Sequence, residues 1–438
     1  MQAIDSVPEL EMLETLVSPF GPVTDVGPNT IRPRRGLSRL AGAGVSVGSG
    51  APGDRIYGSG MAAVTAGGGK AVDDEAHARL IAIAEAAERY AAGDFLGERR
   101  VLASAGELDG PALDLARIPR CSERELSVPG CPQRPLDPGA RIRWVQGTDL
   151  LTGRATWVPA IMACYGLHDV LPSERFWCGI STGFAVHFDP VEALVGGILE
   201  VVERDINAVM WLQQLPLPVV SAPFLSPVTK YLLDWSERHF LDTYLFDATT
   251  DLGVPTVYCL QVAEHDRQAR HGVGAAAARD ITAAAEKALM EAVWARGLLS
   301  WEGEVQEDFA KFSGVLDGAR YMARPQLAPA FSFLVDGARQ RTGPQRAGLP
   351  EAPAEALAWL VAALSGKGML AVAVDRTPRE IAAVGLTAVN VIIPDLQPMS
   401  LRPLAQYRAH PRLYQAPELM GYPAHAEEDL NPWPQPFL

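Results

Sequence analysis

The chain has 438 residues, 48% hydrophobic and 21% charged, so it can bury a sizeable core and wholesale disorder is not expected. Its 38 basic and 52 acidic residues give a formal net charge of −14. That charge argues against a protein held mainly by nucleic-acid phosphates or by an anionic membrane surface. Five cysteines without a C-x-x-C pair argue against a disulfide framework and against a thiolate zinc site. The acidic amino terminus and the lack of a long apolar run indicate no secretory signal and no membrane span, so we expect a cytoplasmic protein.

The predicted elements alternate between strands and long alanine-rich helices. In chain order they are a short helix over 8–17, a strand over 56–70 that ends in a glycine turn, a helix over 74–92, strands at RIRWVQG and RATWVPAIMACYG, a helix from Pro190 to about Trp211, a helix over 276–299 and a buried strand at LTAVNVIIP. The helix that begins at Pro190 has a clear start, because Asp189 suits the N-cap and Glu192 occupies the capping-box position.

One five-residue pattern occurs in two of the predicted helices. EAAER places Glu85 and Glu88 on one helix face, and EVVER places Glu200 and Glu203 on one face of another. The flanking residues are apolar, which predicts burial, and a buried carboxylate pair is costly without a compensating cation. Two such helices facing each other would offer four oxygen ligands suited to Mg²⁺. The alternative is an ordinary Glu–Arg salt bridge, four residues apart, on a wet face of each helix, and the pattern leaves both interpretations open.

Basic residues near these helices could bind a polyphosphate in this acidic protein. Lys70 follows three glycines, and Arg204 and Arg296 lie in the second and third long helices. The glycine stretch does not match a P-loop, because Val64 and Ala71 occupy positions where that motif needs Gly and Ser or Thr.

Residues 179–183, GISTG, match the G-x-S-x-G pattern of serine hydrolases. In those enzymes the serine lies on a sharp turn that leads directly into a helix. Here FAVHFDP separates Ser181 from the predicted helix, so we favour a glycine-framed turn over a catalytic serine.

The last residues, NPWPQPFL, alternate with Pro432, Pro434 and Pro436. Such a segment is extended and resembles polyproline II, so seven residues reach about 20 Å. This length could carry the Leu438 carboxylate from the surface into a cleft. A disordered tail or a ligand for a proline-binding module is the alternative.

Taken together, these segments resemble the YcaO family, and within it the azoline-forming cyclodehydratases, the D proteins of thiazole/oxazole-modified peptide biosynthesis. The resemblance rests on seven segments in a fixed order: LETLVSPFGPV, GGGKAVDDEAHARLIAIAEAAERY, WVQGTDLLTG, STGFAVHFDPVEALVGGILEVVERD, GVGAAAARDITAAAEKALMEAVWAR, VNVIIPDLQPM and the terminal Pro-x-Pro-x-Pro. It implies an α+β fold with mixed sheets and long helices that binds nucleotide and differs from P-loop and Rossmann folds. The implied organisation is an N-terminal segment (1–55), a catalytic ATP-binding domain (56–420) and a proline-rich tail (421–438).

The resemblance also implies roles for individual residues. Glu85, Glu88, Glu200 and Glu203 would hold Mg²⁺ ions that bridge the ATP phosphates. Arg204 would contact phosphate, Glu192 would line the nucleotide site, and Arg296 matches a basic residue of the third motif. The proline tail would enter the active site, so that Pro432, Pro434 and Pro436 present the Leu438 carboxylate to organise groups or accept protons.

Three positions depart from the family pattern. They are Thr182, the pair at 187–188 (His-Phe) and Trp294, and they leave the adenosine contacts unassigned.

The implied activity is ATP-dependent conversion of Cys, Ser or Thr in a ribosomal precursor peptide to thiazoline or oxazoline. ATP would phosphorylate the backbone amide oxygen, which then leaves as phosphate. The expected partners are the precursor peptide, a separate leader-binding E1-like protein, a flavin-dependent dehydrogenase acting later and, by analogy, a second copy of the chain. The alternatives are a thioamide- or amidine-forming YcaO enzyme and a non-catalytic peptide-binding scaffold.

Overall fold

The computed structural model describes residues 7–28, 40–47, 66–94, 99–221, 224–299, 303–344 and 346–437. The strands are β1 Val23–Pro28, β2 Leu40–Val47, β3 Ala66–Val72, β4 Val101–Ala103, β5 Ile142–Asp149, β6 Ala155–Pro159, β7 Phe184–His187, β8 Asp242–Asp247, β9 Thr256–Val262, β10 His271–Ala277, β11 Val372–Asp375 and β12 Thr387–Ile392. The α-helices are α1 Val7–Glu14, α2 Glu75–Ala92, α3 Glu123–Ser127, α4 Ala160–Ala163, α5 Pro190–Gln213, α6 Pro227–Arg238, α7 Ile281–Leu299, α8 Val315–Met322, α9 Ser332–Val335, α10 Pro353–Ser365, α11 Arg379–Ala383 and α12 Arg412–Leu419.

The strands form three antiparallel sheets, so the predicted mixed α+β fold is confirmed. An amino-terminal sheet has the order β1-β2-β3, a middle sheet the order β10-β9-β8, and a large sheet the order β4-β5-β11-β12-β7 with β6 paired to β5. None of the described sheets closes on itself. Each sheet carries one long helix: α2 lies on β2 and β3, α7 on β9 and β10, and α5 on β7 and β12.

Helix α5 is the central element of this arrangement. It packs against the large sheet and also against β10 of the middle sheet, while α2 reaches from the amino-terminal sheet to β7. The apolar residues that fill these contacts are buried, for example Ile83, Ile198 and Leu289. The packing therefore brings faces of α2, α5 and α7 to one region of the molecule.

Both carboxylate-bearing helices begin after a capping aspartate, and the cap of α5 is the predicted Asp189. The Asp74 carboxylate accepts from the His77 amide at 2.8 Å, and the Asp189 carboxylate accepts from the Val191 amide at 2.8 Å. The predicted capping box at Glu192 is wrong. Glu192 instead pairs with Arg279 at 2.7 Å, because a guanidinium offers a stronger, charge-assisted partner than a backbone amide.

Two predicted element boundaries are also corrected. Gly67, Gly68 and Gly69 lie inside β3 rather than in a turn, and residues 56–65 lie outside the described residues. The third long helix begins at Ile281, since residues up to Ala277 pair with β9 as part of β10. Alanine favours helices locally, but the pairing of β10 with β9 overrides that preference here.

Further along, the predicted strand at 154–166 ends at Pro159 and is followed by the short helix α4, whereas the strand at 386–394 is confirmed as β12. None of the five cysteines forms a disulfide within the described residues. No helix in the described part of the chain is both long enough and apolar enough to cross a membrane.

Candidate active site

The carboxylate cluster, defined here as Glu85, Glu88, Glu200 and Glu203, lies where α2 and α5 face each other. Glu88 and Glu200, from different helices, are close enough for each to act on the other's charge. Their side chains are not sealed in the core, since Glu85 is 32% exposed, Glu200 23% and Glu203 12%. The predicted convergence of the two EXXER patterns is thus present, and the cluster lines a region that solvent can reach.

Each helix fixes its glutamates through backbone amides of the strand beneath it. The Gly68 amide of β3 donates to Glu85 at 2.9 Å, and the Gly183 amide, just before β7, donates to Glu200 at 3.0 Å. The Ala277 amide of β10 donates to Glu203 at 3.1 Å, which ties α5 to the middle sheet. These bonds orient the carboxylates and leave each a second oxygen for another partner.

Glycines let the helices approach closely enough for these hydrogen bonds. A Cβ atom at Gly69 would collide with the Ala78 carbonyl oxygen of α2, and one at Gly274 would collide with the Ala288 carbonyl oxygen of α7. The glycine-rich stretch ahead of α2 therefore serves close strand–helix packing rather than phosphate binding in a P-loop turn.

Two arginines partly neutralise the cluster. Arg89 lies 3.2 Å from Glu85, while Arg204 lies 3.4 Å from Glu200 and 2.9 Å from Glu203. The salt bridges of the alternative interpretation thus exist, but the Arg204 side chain is only 16% exposed, so its pairs are not on a wet face. Four carboxylates against two guanidiniums leave an excess of negative charge.

Burial and the excess of negative charge both raise pKa values of glutamates in the cluster. Burial, together with the charge of Glu200, raises the pKa of Glu88 well above its ordinary value. Burial also raises the pKa of Glu200, and that of Glu203 to about 8, with the neighbouring charge of Glu291 adding to the shift at Glu203.

The described residues contain no group of three or more His, Cys, Asp or Glu side chains already arranged to hold a metal ion. The donor set nevertheless suits Mg²⁺, since its oxygens are hard ligands and its charge is under-compensated. The residues therefore fit a divalent cation bound between α2 and α5.

Glu291 of α7 extends the cluster and was missed in the sequence. The Ala275 amide of β10 donates to it at 3.4 Å, which repeats the strand-to-helix bond of the other two units, and its charge acts on Glu203 and Arg204. Glu291 lacks a second glutamate three residues later, because Trp294 stands there, so the search for paired carboxylates passed over it. A glutamate flanked by apolar residues within this helix was the available signal.

The other predicted nucleotide-binding residues lie on α5, β3 and α7. Glu192, in the first turn of α5, forms its ion pair with Arg279, and Lys70 is half-buried in β3, two residues after Gly68. Arg296 donates to the Gln261 carbonyl at 3.0 Å and to the Ala269 carbonyl, so it braces β9 and the loop before β10.

The proline-rich tail packs along α5 toward the cluster. The Asn431 amide donates to the Leu212 carbonyl at 2.8 Å, and the Trp211 indole donates to the Trp433 carbonyl at 3.0 Å. Phe437 is buried and lies over the Arg204 guanidinium, with 4.5 Å between the guanidinium carbon and the ring centroid. The tail, as far as it is described, therefore reaches the arginine that contacts Glu200 and Glu203.

The predicted tail residues differ in burial. Pro434 and Pro436 are buried and Pro432 is exposed, whereas Leu438 lies outside the described residues. The disordered-tail alternative is wrong for residues 431–437, which are packed on the protein.

The GISTG segment does not form a nucleophile elbow. The residues after Gly183 form strand β7, and α5 begins only at Pro190. The Gly183 amide instead supports Glu200.

A protein-family model described as "YcaO cyclodehydratase, ATP-ad Mg2+-binding" matches residues 68–397, about three quarters of the chain. The chain belongs to the YcaO family. The match includes the whole carboxylate cluster and Glu291, and it confirms ATP and Mg²⁺ as the ligands of this YcaO protein.

Solved structures confirm the fold. A heterocyclase solved in complex with substrate and cofactor is 22% identical, with a TM-score of 0.80, over 98% of this chain and 57% of its own. The YcaO protein of Methanopyrus kandleri, bound with AMPPCP and Mg²⁺, is 18% identical, with a TM-score of 0.59, over 89% of this chain and 88% of its own.

A curated relative from Rhizobium leguminosarum bv. trifolii, an uncharacterized protein in the tfuA 3′ region, is 30% identical over 150 residues. That match covers 33% of this chain and 32% of the relative. This YcaO protein thus spans just over half of the heterocyclase, and its alignment with the curated relative covers about a third of that protein.

Proposed function

We propose that this YcaO protein is an ATP-dependent cyclodehydratase that converts Cys, Ser or Thr of a ribosomal precursor peptide to thiazoline or oxazoline. The observation that carries the proposal is the meeting of three features at one place: the carboxylate cluster, the Arg204 guanidinium and the tail residue Phe437. The first two suit a magnesium-bound polyphosphate, and the tail supports azoline chemistry within the family.

In this proposal the nucleotide lies along α5. Glu192, in the first turn, would line the nucleoside end. Glu200 and Glu203, which follow eight and eleven residues later, lie about 12 to 17 Å further along the helix axis. With Glu85, Glu88 and Glu291 they would hold Mg²⁺, which neutralises phosphate charge when bound.

The positive groups have separate roles. Arg204 would contact the transferred phosphoryl group, since its guanidinium lies between the carboxylates and the tail. Lys70 and Arg296 are proposed as further basic groups of the nucleotide site, with Arg296 acting through the β9 backbone that it braces.

The proposed reaction balances as follows. The thiol or hydroxyl of the substrate adds to the preceding backbone carbonyl carbon, and the former carbonyl oxygen takes the γ-phosphoryl group while the bond to ADP breaks. The carbon–oxygen bond then breaks to release phosphate as the amide nitrogen loses its proton and a C=N bond forms. The peptide loses one water, and ATP becomes ADP and phosphate. The site contributes position and charge stabilisation.

The carboxyl-terminal tail would position the reacting groups or accept the proton that the amide nitrogen loses. Its alternating prolines restrict Pro432–Phe437 to an extended path, which would present the Leu438 carboxylate beside Arg204. We also propose a separate leader-binding protein as partner, since a chain of similar fold is solved as part of a multi-protein assembly, the E. coli microcin synthetase McbBCD complex. A second copy of the chain and a flavin-dependent dehydrogenase acting afterwards complete the proposed partners.

The test measures phosphate release from ATP and the mass of a Cys-containing precursor peptide, with the leader-binding partner present. A loss of 18 Da per modified residue is expected for an azoline. The loss should be abolished in Glu203→Ala and strongly reduced in a chain lacking Pro432–Leu438. ATP use with a different mass change would point to thioamide or amidine formation instead, and a lack of ATP dependence would leave the scaffold interpretation.

A further inference from the structure

A cavity of about 280 Å³ lies beside the carboxylate cluster and takes no part in the nucleotide site described above. Its walls come from the segment after α4, the loop before β7, the start of α8 and residues 400–402. Apolar side chains form most of the wall, namely Ile161, Leu167, Val170, Trp177, Ile180, Val315 and Leu401. The exposed side chain of Arg175 lies at its rim, so the cavity opens to solvent there.

The wall of the cavity includes residues that neighbour Arg204 and Arg89. Trp177, Cys178 and Ile180 also line a second cavity, whose wall includes Arg204. Tyr165, another wall residue, lies near Arg89, since burial raises the pKa of the tyrosine and the arginine charge opposes that shift. A peptide entering at Arg175 would therefore meet the γ-phosphoryl group at the far end.

The charge of the cavity is unusual for this acidic protein. None of the described residues that line it is Asp or Glu, whereas Arg175 and Arg402 both contribute to the wall. Gln133, only 6% exposed, also lines it, and the carbonyl oxygen of its side-chain amide has no hydrogen-bond partner within the described structure. The wall thus combines apolar surface, positive charge and an unused acceptor.

Resting on the function proposed above, we infer that this cavity binds the side chain of the precursor residue immediately before the cyclised Cys, Ser or Thr. That residue supplies the carbonyl oxygen that is phosphorylated, so its Cβ is two bonds from the reacting carbon. Its side chain must therefore lie beside the γ-phosphoryl group. The cavity accepts apolar or acidic side chains and rejects Lys and Arg, because burying a second cation beside Arg402 without a carboxylate is costly.

Val170 allows a direct test of this selectivity. Its side chain is half-buried in the cavity wall, and it is not one of the proposed nucleotide-binding residues. Val170→Glu places a carboxylate in the wall, and Val170→Gln is its uncharged match of the same size. Leu102→Glu, on the exposed side of β4, adds the same charge away from the cavity.

The probes are three blocked hexapeptides of sequence Gly-Gly-Xaa-Cys-Gly-Gly, with Leu, Glu or Lys at Xaa, incubated with ATP, Mg²⁺ and the leader-binding partner. The wild type is expected to cyclise the Leu and Glu peptides at least about tenfold more efficiently than the Lys peptide. The ratio of the cyclisation efficiency of the Leu peptide to that of the Lys peptide should be at least about threefold lower in Val170→Glu than in Val170→Gln. Leu102→Glu should leave this ratio unchanged. Equal efficiencies for Leu and Lys in the wild type, or equal ratios in the two Val170 variants, would overturn the inference.

A binding measurement separates this inference from the proposed function. The affinities of the same three peptides with Ala in place of Cys are measured in the absence of turnover. If no peptide is cyclised but the affinities follow the expected order and respond to Val170→Glu, the cavity assignment stands and the cyclodehydratase proposal fails. If cyclisation occurs while neither rate nor affinity depends on Xaa, only the cavity assignment fails.

Discussion

Phe437 covers the guanidinium of Arg204, with 4.5 Å between the guanidinium carbon and the ring centroid, while the same arginine lies 2.9 Å from Glu203. One cation thus joins the carboxyl-terminal tail to the carboxylate cluster of α5. A change at either neighbour should be felt through the position of this guanidinium.

Replacing Phe437 tests that relationship. Phe437→Leu keeps an apolar side chain but removes the ring face, and a desolvated cation–π contact is worth about 2 kcal/mol, which corresponds to about 30-fold. We therefore expect kcat/KM for peptide cyclisation to fall by about 10- to 30-fold, whereas Phe437→Tyr, which keeps the ring, should lose less than about threefold. Equal losses in both variants, measured by ATP-dependent loss of mass, would show that the ring face is not what matters.

Glu203→Gln removes one charge from the cluster while keeping its size. We expect the Mg²⁺ concentration needed for half-maximal ATP hydrolysis to rise at least about tenfold, since a neutral amide is a weaker ligand for a hard cation. Glu355→Gln, an exposed change on α10, is the matched control. An unchanged Mg²⁺ requirement in Glu203→Gln would remove Glu203 from the proposed metal ligands.

Glu291 should behave like the predicted metal ligands, although it has no second glutamate three residues away on its helix. Glu291→Gln is expected to reduce ATP hydrolysis by at least about 100-fold if it acts in the cluster. Glu286→Gln, one turn earlier on α7, is the control, because Glu286 accepts from the Ser226 hydroxyl instead. Similar steady-state rates for the two variants would confine Glu291 to a structural role.

Arg412 forms a buried ion-pair network behind the site. It lies 2.8 Å from Asp205 and 2.7 Å from Asp251, and its side chain is 2% exposed. Arg412→Met leaves the buried Asp205 carboxylate without its cation and leaves Asp251 with Lys367 alone, 3.2 Å away, so the free energy of unfolding should fall by about 3 to 5 kcal/mol. Arg124→Met, which breaks an exposed pair with Glu428, should cost less than about 1 kcal/mol. Urea denaturation checks both values, and equal midpoints for the two variants would contradict the expectation.

His410 should make stability depend on pH. Burial lowers its pKa to about 4, and its Nε2 lies 3.1 Å from the Pro394 carbonyl oxygen. Between about pH 6.5 and 4 the unfolded chain binds a proton at this position that the folded chain does not. The contribution of His410 is therefore complete above pH 6.5 and declines as the pH falls toward 4.

One such histidine changes the free energy of unfolding by about 1.4 kcal/mol per pH unit within this range. The free energy of unfolding should therefore differ less between pH 7 and pH 5 in His410→Gln than in the wild type, because the contribution of this histidine is gone. The exposed variant His265→Gln should keep the wild-type difference. Urea titrations at the two pH values provide the measurement. A slope that is undiminished in His410→Gln would assign the pH dependence to other groups, such as His271, whose pKa burial also lowers to about 4.

The sequence alone determined the features that depend on local chemistry. The cap at Asp189 predicted the start of α5, because a side-chain oxygen two residues before a free amide suffices to satisfy it. The spacing of Glu85 and Glu88, and of Glu200 and Glu203, predicted a shared face on each helix, because three residues make almost one turn.

Only the tertiary structure decided which of these faces meet and what supports them. The sequence predicted a turn at Gly67–Gly69, yet Gly69 and Gly274 lie inside strands and allow the helix that follows each strand to pack closely on it. Glu291 joins the cluster because β10, on which α7 lies, also packs against α5, and no local pattern encodes that contact. Strand pairing and helix packing depend on the whole chain, so the fifth carboxylate and the position of the tail beside Arg204 emerged only when the sheets were assembled.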